Sequence, residues 1–146
     1  MKAKKRLDNS RNELGLESER VVFVTGATGF VGKALITELL AHRLKVIAGV
    51  RQLSVKLPHE LHQYAVGSIS PATDWSQSLQ GVSVVIHLAA RAHIMNDTAV
   101  NPLTEFRKVN TTGTLNLARQ AADAGVKRFI FISSIKVNGE MTDLEH

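Results

Sequence analysis

The chain has 146 residues, 44% hydrophobic and 21% charged, a balance that buries a core and excludes a disordered or fibrous polypeptide. It has no cysteine, which excludes disulfides, thiolate metal centres and a cysteine nucleophile and suits a reducing cytoplasm. The net charge of +5 is spread along the chain, apart from Lys2, Lys4, Lys5 and Arg6, and only 5% of residues are aromatic, so no nucleic-acid surface is indicated and the field suits a phosphorylated cofactor.

Residues Met1 to Arg20 are polar and aperiodic and read as a flexible leader outside the core. No apolar run is long enough to span a bilayer, and nothing resembles a secretory signal, so no membrane partner is expected. Val21–Thr25 is an unbroken apolar run of the kind that forms a buried parallel strand. Gly26, Gly29 and Gly32 follow, spaced three apart and enclosing Thr28, Phe30 and Val31. Without a Cβ these positions let the backbone turn sharply and approach a ligand. The helix that follows aims its free N–H groups and positive dipole end at an anion. The combination describes a pyrophosphate cradle at the first strand–helix turn of a dinucleotide-binding fold. It is not Gly-x-Gly-x-x-Gly, because Thr28 stands where glycine is needed. Nor is it the phosphate loop of ATPases, because Ala34 occupies the position that would hold magnesium.

The pattern next predicts a helix from Phe30 to about His42, a strand over Lys45–Val50, and a loop over Gln52–His62 with Pro58 as a breaker. A short strand over Gln63–Val66, a short helix within Pro71–Gln80 and a strong strand over Val82–Ala89 come after. A polar loop, Ala90–Asn101, leads to a helix from Pro102 to about Ala124, which Gly125 caps, and then to a strand over Arg128–Ser133. Strands alternating with helices give an α/β, doubly wound parallel sheet in the order 3-2-1-4-5. Ligands in such sheets lie beyond the carboxyl ends of the strands, at the switch in winding.

Four segments, TGATGFVG (Thr25–Gly32), HLAA (His87–Ala90), VNTTGTLNL (Val109–Leu117) and FISSIKVNG (Phe131–Gly139), make the chain resemble an extended short-chain dehydrogenase/reductase of the NAD-dependent epimerase/dehydratase family, which acts on nucleotide sugars. The resemblance covers about Val21 to Gly139 and implies a Rossmann domain over 21–143 that belongs to a longer enzyme. Leu144, Glu145 and His146 read as the remnant of a vector tag. The SSIKVNG turn is similar to that of bacterial enzymes making surface-polysaccharide sugars, either 4-epimerases or 4-keto reductases.

By that resemblance, Gly26, Thr28, Gly29 and Gly32, with amides near Phe30 and Val31, hold the pyrophosphate, and Leu88, Ala89 and Ala90 border the nicotinamide. Ser68 and Ile69 stand where the family's Gly-Asp-Ile/Leu turn contacts adenine, serine replacing the aspartate. Asn110 matches a helix asparagine that bonds neighbouring main chain, and Ser134 matches the catalytic Ser/Thr that bonds the sugar oxygen. The family's Tyr-x-x-x-Lys pair is absent, Tyr64 being the single tyrosine, so the chain is expected to bind cofactor without turnover. Asn138 replaces the tyrosine of the family's Val-Tyr-Gly turn. The residue ending the second strand is Val50, with Arg51 next, rather than the acidic residue that bonds the ribose of NAD. Arginine clamps phosphate, so NADP is favoured within NAD(P). The family's habit implies a homodimer at full length.

The spacing of His59 and His62 excludes a His-Glu-x-x-His zinc site. His87 reads as a satisfied core histidine, Trp75 and Leu79 as a hydrophobic plug, and His93 and Lys136 as surface residues near the substrate side. Competing functions are an NADP-linked reductase of another small ketone, a non-catalytic NADP sensor, and a plain interaction domain.

Overall fold

A computed structural model describes residues 20–92 and 101–134. His93, Lys136, Asn138, most of the leader and residues 144–146 lie outside the described residues.

Five strands form one parallel sheet: β1 (Val21–Thr25), β2 (Lys45–Val50), β3 (His62–Ala65), β4 (Val82–His87) and β5 (Arg128–Phe131). Their spatial order is β3-β2-β1-β4-β5, as the alternating pattern predicts. Alternate residues of β1 point to opposite faces. Val22 and Val24 join Ile36, Val46, Ala48, Val50 and Ile86 under helix α1 (Phe30–Ala41). Phe23 joins Trp75, Val85, Leu117 and Ala121 on the other face, under helix α3 (Thr114–Asp123). Both faces being covered explains why β1 is apolar from Val21 to Val24.

Three expectations are corrected. Pro71–Gln80 forms turns rather than a helix. Side chains take over its backbone groups: Asp74 accepts from the Ser76 amide at 2.9 Å and Gln120 from the Trp75 amide at 2.8 Å. Asp and Ser favour such local bonds over a helical ladder. Trp75 and Leu79 are nevertheless fully buried, as a plug.

The helix expected from Pro102 onward is interrupted. Helix α2 (Pro102–Arg107) leads into a π-turn (Lys108–Gly113) before α3. Thr112 donates to the Arg107 and Lys108 carbonyls, at 3.3 and 3.0 Å, and Gly113 is pressed against Ile69. A π-turn absorbs one extra residue and re-aims the side chains around it.

Strand limits also move. β3 starts one residue earlier than expected, although the Val66 amide still bonds the Val50 carbonyl at 2.9 Å. β4 ends at His87 and β5 at Phe131, each followed by one further ladder bond, Leu88 N to Thr25 O and Ile132 N to His87 O.

Both helix ends use the same closure. Gly125, with φ of +78°, ends α3, and Val126 N bonds Ala121 O. Arg43, with φ of 57°, ends α1, and Leu44 N bonds Leu39 O. In each case a left-handed residue lets the chain satisfy orphan carbonyls.

Candidate functional site: a crevice at the carboxyl edge of the sheet

Because all strands run parallel, the turns after β1 to β5 gather at one edge, and the winding reverses between β1 and β4. Gly26 begins the first of these turns with φ of +72°. A Cβ there would lie 2.8 Å from the Ala89 nitrogen and 2.9 Å from the Leu88 carbonyl carbon. The glycine turn and the Leu88–Ala90 turn are therefore in backbone contact, which brings together two segments more than sixty residues apart in sequence. Gly32, in the first turn of α1, packs so tightly on the Gly26 carbonyl and Ala27 that no side chain fits.

Gly29 is the N-cap of α1 and, having no side chain, makes no capping hydrogen bond. The first N–H groups of a helix lack internal partners, so Phe30, Val31 and Gly32 present amides beside a positive dipole end. Phe30 and Val31 are exposed. The missing Cβ atoms and the uncapped helix start fit a diphosphate.

Thr25 ties the crevice floor together. Its Oγ1 accepts from the Ala89 amide at 3.2 Å and lies 2.6 Å from His87 Nδ1. His87 Nε2 lies 2.9 Å from Thr114 Oγ1 on α3. Each threonine hydroxyl can donate or accept, so either neutral tautomer satisfies both ring nitrogens of His87. Burial pushes the His87 pKa down to about 4, so the ring is neutral near pH 7. This is the satisfied core histidine that its apolar strand suggested. Spacing alone gave no sign of its threonine partners.

The loop after β4 is clamped from the π-turn. Arg91 N donates to Asn110 Oδ1 at 2.7 Å, and Asn110 Nδ2 donates to Arg91 O at 2.9 Å. The Arg91 guanidinium lies 5.4 Å from the Phe106 ring centre. Asn110 thus bonds main chain, within the π-turn.

Arg51 is exposed immediately after β2. Ser68 is exposed and Ile69 half-buried in the turn after β3. Ser134 is exposed beyond β5. These residues and Ala90 line the same sheet edge, at the ends of different strands. Thr28 and Gly29 are exposed at the tip of the glycine turn. A concavity of ≈ 570 Å³ is lined by residues between Leu53 and Gln63, in and beside the segment that joins β2 to β3. Among the described residues, no cluster of His, Asp or Glu could hold a metal, and no helix is long and apolar enough to cross a membrane.

Known proteins are similar to this chain in sequence and fold. The profile of the NAD dependent epimerase/dehydratase family matches residues 22–146. A UDP-glucose 4-epimerase of Vibrio cholerae is 49% identical over 121 residues, covering 83% of this chain and 37% of that protein. A 3-beta-hydroxysteroid dehydrogenase of Mycolicibacterium neoaurum is 34% identical, covering 80% of this chain and 32% of its own length. The solved structure of MoeE5 in complex with UDP-glucose and NAD superposes with a TM-score of 0.68 at 30% identity, over 82% of this chain and 38% of that one. The chain spans about a third of the length of the relatives it matches. On the profile match and the sheet order together, the chain belongs to the NAD dependent epimerase/dehydratase family.

Proposed function

We propose that this chain is the dinucleotide-binding part of a nucleotide-sugar epimerase, dehydratase or 4-keto reductase that works in the cytoplasm on sugars for surface polysaccharide. The observation that carries the reading is the backbone contact of Gly26 with Ala89 beside an uncapped helix start. The 49% likeness to a UDP-glucose 4-epimerase, against 34% to a steroid dehydrogenase, supports a sugar nucleotide over another small ketone.

Gly26, Thr28, Gly29 and Gly32, with the Phe30 and Val31 amides, would hold the diphosphate. Ser68 and Ile69 would border adenine; Leu88, Ala89 and Ala90 would border nicotinamide, with Asn110 steadying that loop. When bound, a nicotinamide cofactor supplies hydride chemistry at C4 of the sugar. The Ser134 hydroxyl would bond the reacting sugar oxygen and help stabilise charge that develops on it. A tyrosine–lysine pair is needed to move the proton. Tyr64, the sole tyrosine, lies before β4 in the edge strand β3, so the 146-residue chain alone binds without turnover. At full length the enzyme is a homodimer.

Arg51 favours NADP. It is a cation where an acidic residue would select the free ribose of NAD. A charge-assisted contact with a 2′-phosphate corresponds to about tenfold in affinity or more. The experiment is a fluorescence titration with NADPH and NADH. Tighter NADPH binding that Arg51→Asp reverses supports the assignment. Equal affinities, or a preference that survives the substitution, remove it. A chain that binds neither coenzyme overturns the whole reading.

A further inference from the structure

Two amides on α3 are bonded to the loop that follows β3. Asn116 Nδ2 donates to the Thr73 carbonyl at 2.7 Å and to the Ser70 carbonyl at 3.3 Å. Gln120 Nε2 donates to the same Thr73 carbonyl at 2.9 Å and to Asn116 Oδ1 at 2.8 Å, while its Oε1 accepts from the Trp75 amide at 2.8 Å. Residues four apart on a helix share a face, so the pair acts on the loop as a unit. Thr73, itself buried, passes the restraint on: its Oγ1 donates to the Ser68 carbonyl at 3.0 Å and accepts from the Ser70 amide at 2.9 Å. Ser68 and Ile69 are thereby held from behind, with Ile69 also against Gly113.

In this fold the adenosine half of the dinucleotide lies over the β1–β2–β3 side of the crevice, where the end of β2 meets its ribose. The turn after β3 borders that half. We propose that Asn116 and Gln120 are positioning residues for the adenine end of the cofactor, acting through Thr73 on Ser68 and Ile69. The inference rests on the dinucleotide reading above. Both residues use their N–H groups as donors to carbonyls, so a carboxylate of the same shape cannot replace them: it lacks the hydrogens and sets oxygen against oxygen. The arrangement predicts a loss confined to the adenine end, with the nicotinamide side untouched.

The test titrates the 146-residue chain, Asn116→Asp, Gln120→Met and a core control, Ile36→Val, with the coenzyme that the parent prefers and with adenosine 5′-monophosphate. Ile36 is buried on the opposite face of the sheet, so its truncation lowers stability without reaching the loop. Titrations are made below the melting transition of every variant, which is recorded separately. The expected result is about a tenfold loss for both ligands in Asn116→Asp and Gln120→Met, with Ile36→Val within twofold of the parent. Affinities within twofold of the parent in both α3 variants overturn the inference, even if their melting temperatures fall. So does a loss of coenzyme affinity with adenosine 5′-monophosphate binding retained. A parent that binds neither ligand overturns the dinucleotide reading and this inference together.

Discussion

Thr25 Oγ1 and His87 Nδ1 lie 2.6 Å apart although 62 residues separate them in sequence. The bond joins the carboxyl ends of β1 and β4, and the same hydroxyl holds the Ala89 amide. Its stability consequence depends on pH. His87 has a folded pKa lowered to about 4 from 6.5, so between these values the unfolded chain binds more protons. Stability is then full above pH 6.5 and falls as pH drops towards 4, by about 3 kcal/mol from this residue. Urea midpoints from pH 4 to 8 check this. The stability gap between the parent and His87→Gln should narrow as pH falls through that window; a constant gap would contradict it.

Gly26 and Gly81 separate backbone strain from crowding. Both have positive φ, +72° and +70°, but a Cβ at Gly81 meets nothing within 4 Å. Gly81→Ala should therefore lose about 1 kcal/mol, the strain of a left-handed residue. Gly26→Ala should lose about 2–4 kcal/mol, since its Cβ also meets the Ala89 backbone. Denaturant titration of both variants gives the difference, and equal losses would show that the two turns do not touch.

Arg43 does at the end of α1 what Gly125 does at the end of α3. Arginine carries a Cβ penalty there that glycine does not. The Arg43→Gly variant is expected to be more stable by about 0.5–1 kcal/mol, read as a raised midpoint at unchanged slope. A lowered midpoint would mean that the Arg43 side chain contributes more than its strained backbone loses.

Trp75 is fully buried, yet among the described residues its Nε1 finds no hydrogen-bond partner. Its ring meets Phe23 edge-on, with centroids 6.0 Å apart. Trp75→Phe keeps an aromatic plug and removes the orphan donor. The lost volume costs about 1–2 kcal/mol, and relief of the unpaired N–H offsets about 1–3 kcal/mol. Thermal unfolding should show a change within about 1 kcal/mol, whereas Trp75→Ala should lose about 3–5 kcal/mol. A large loss in the phenylalanine variant would imply that the indole N–H is satisfied.

What the sequence made legible was local. β1, the glycine turn, α1 up to Ala41 and β2 were readable almost to the residue, because an apolar run, three spaced glycines and a helical stripe are each signals within a few positions. Asn110 was readable from its surrounding motif, and the structure places its amide on Arg91. The π-turn was not, because it depends on Arg91 and Ile69, which meet Asn110 and Gly113 only in the folded chain. Pro71–Gln80 has helix-like apolar spacing at Trp75 and Leu79, but Gln120, 45 residues away, binds the Trp75 amide instead. The partners of His87 and the loop-holding role of Asn116 were hidden for the same reason: a polar side chain does not advertise its distant acceptor.

Both faces of β1 are covered, while the turns at the carboxyl edge of the sheet stay open. Phe23, Val24 and Val85 have no accessible surface, whereas Thr28, Arg51, Ser68 and Ala90 stand in solvent on separate turns. A protein so divided can change what that edge contacts one loop at a time, while selection for a durable scaffold acts on other positions.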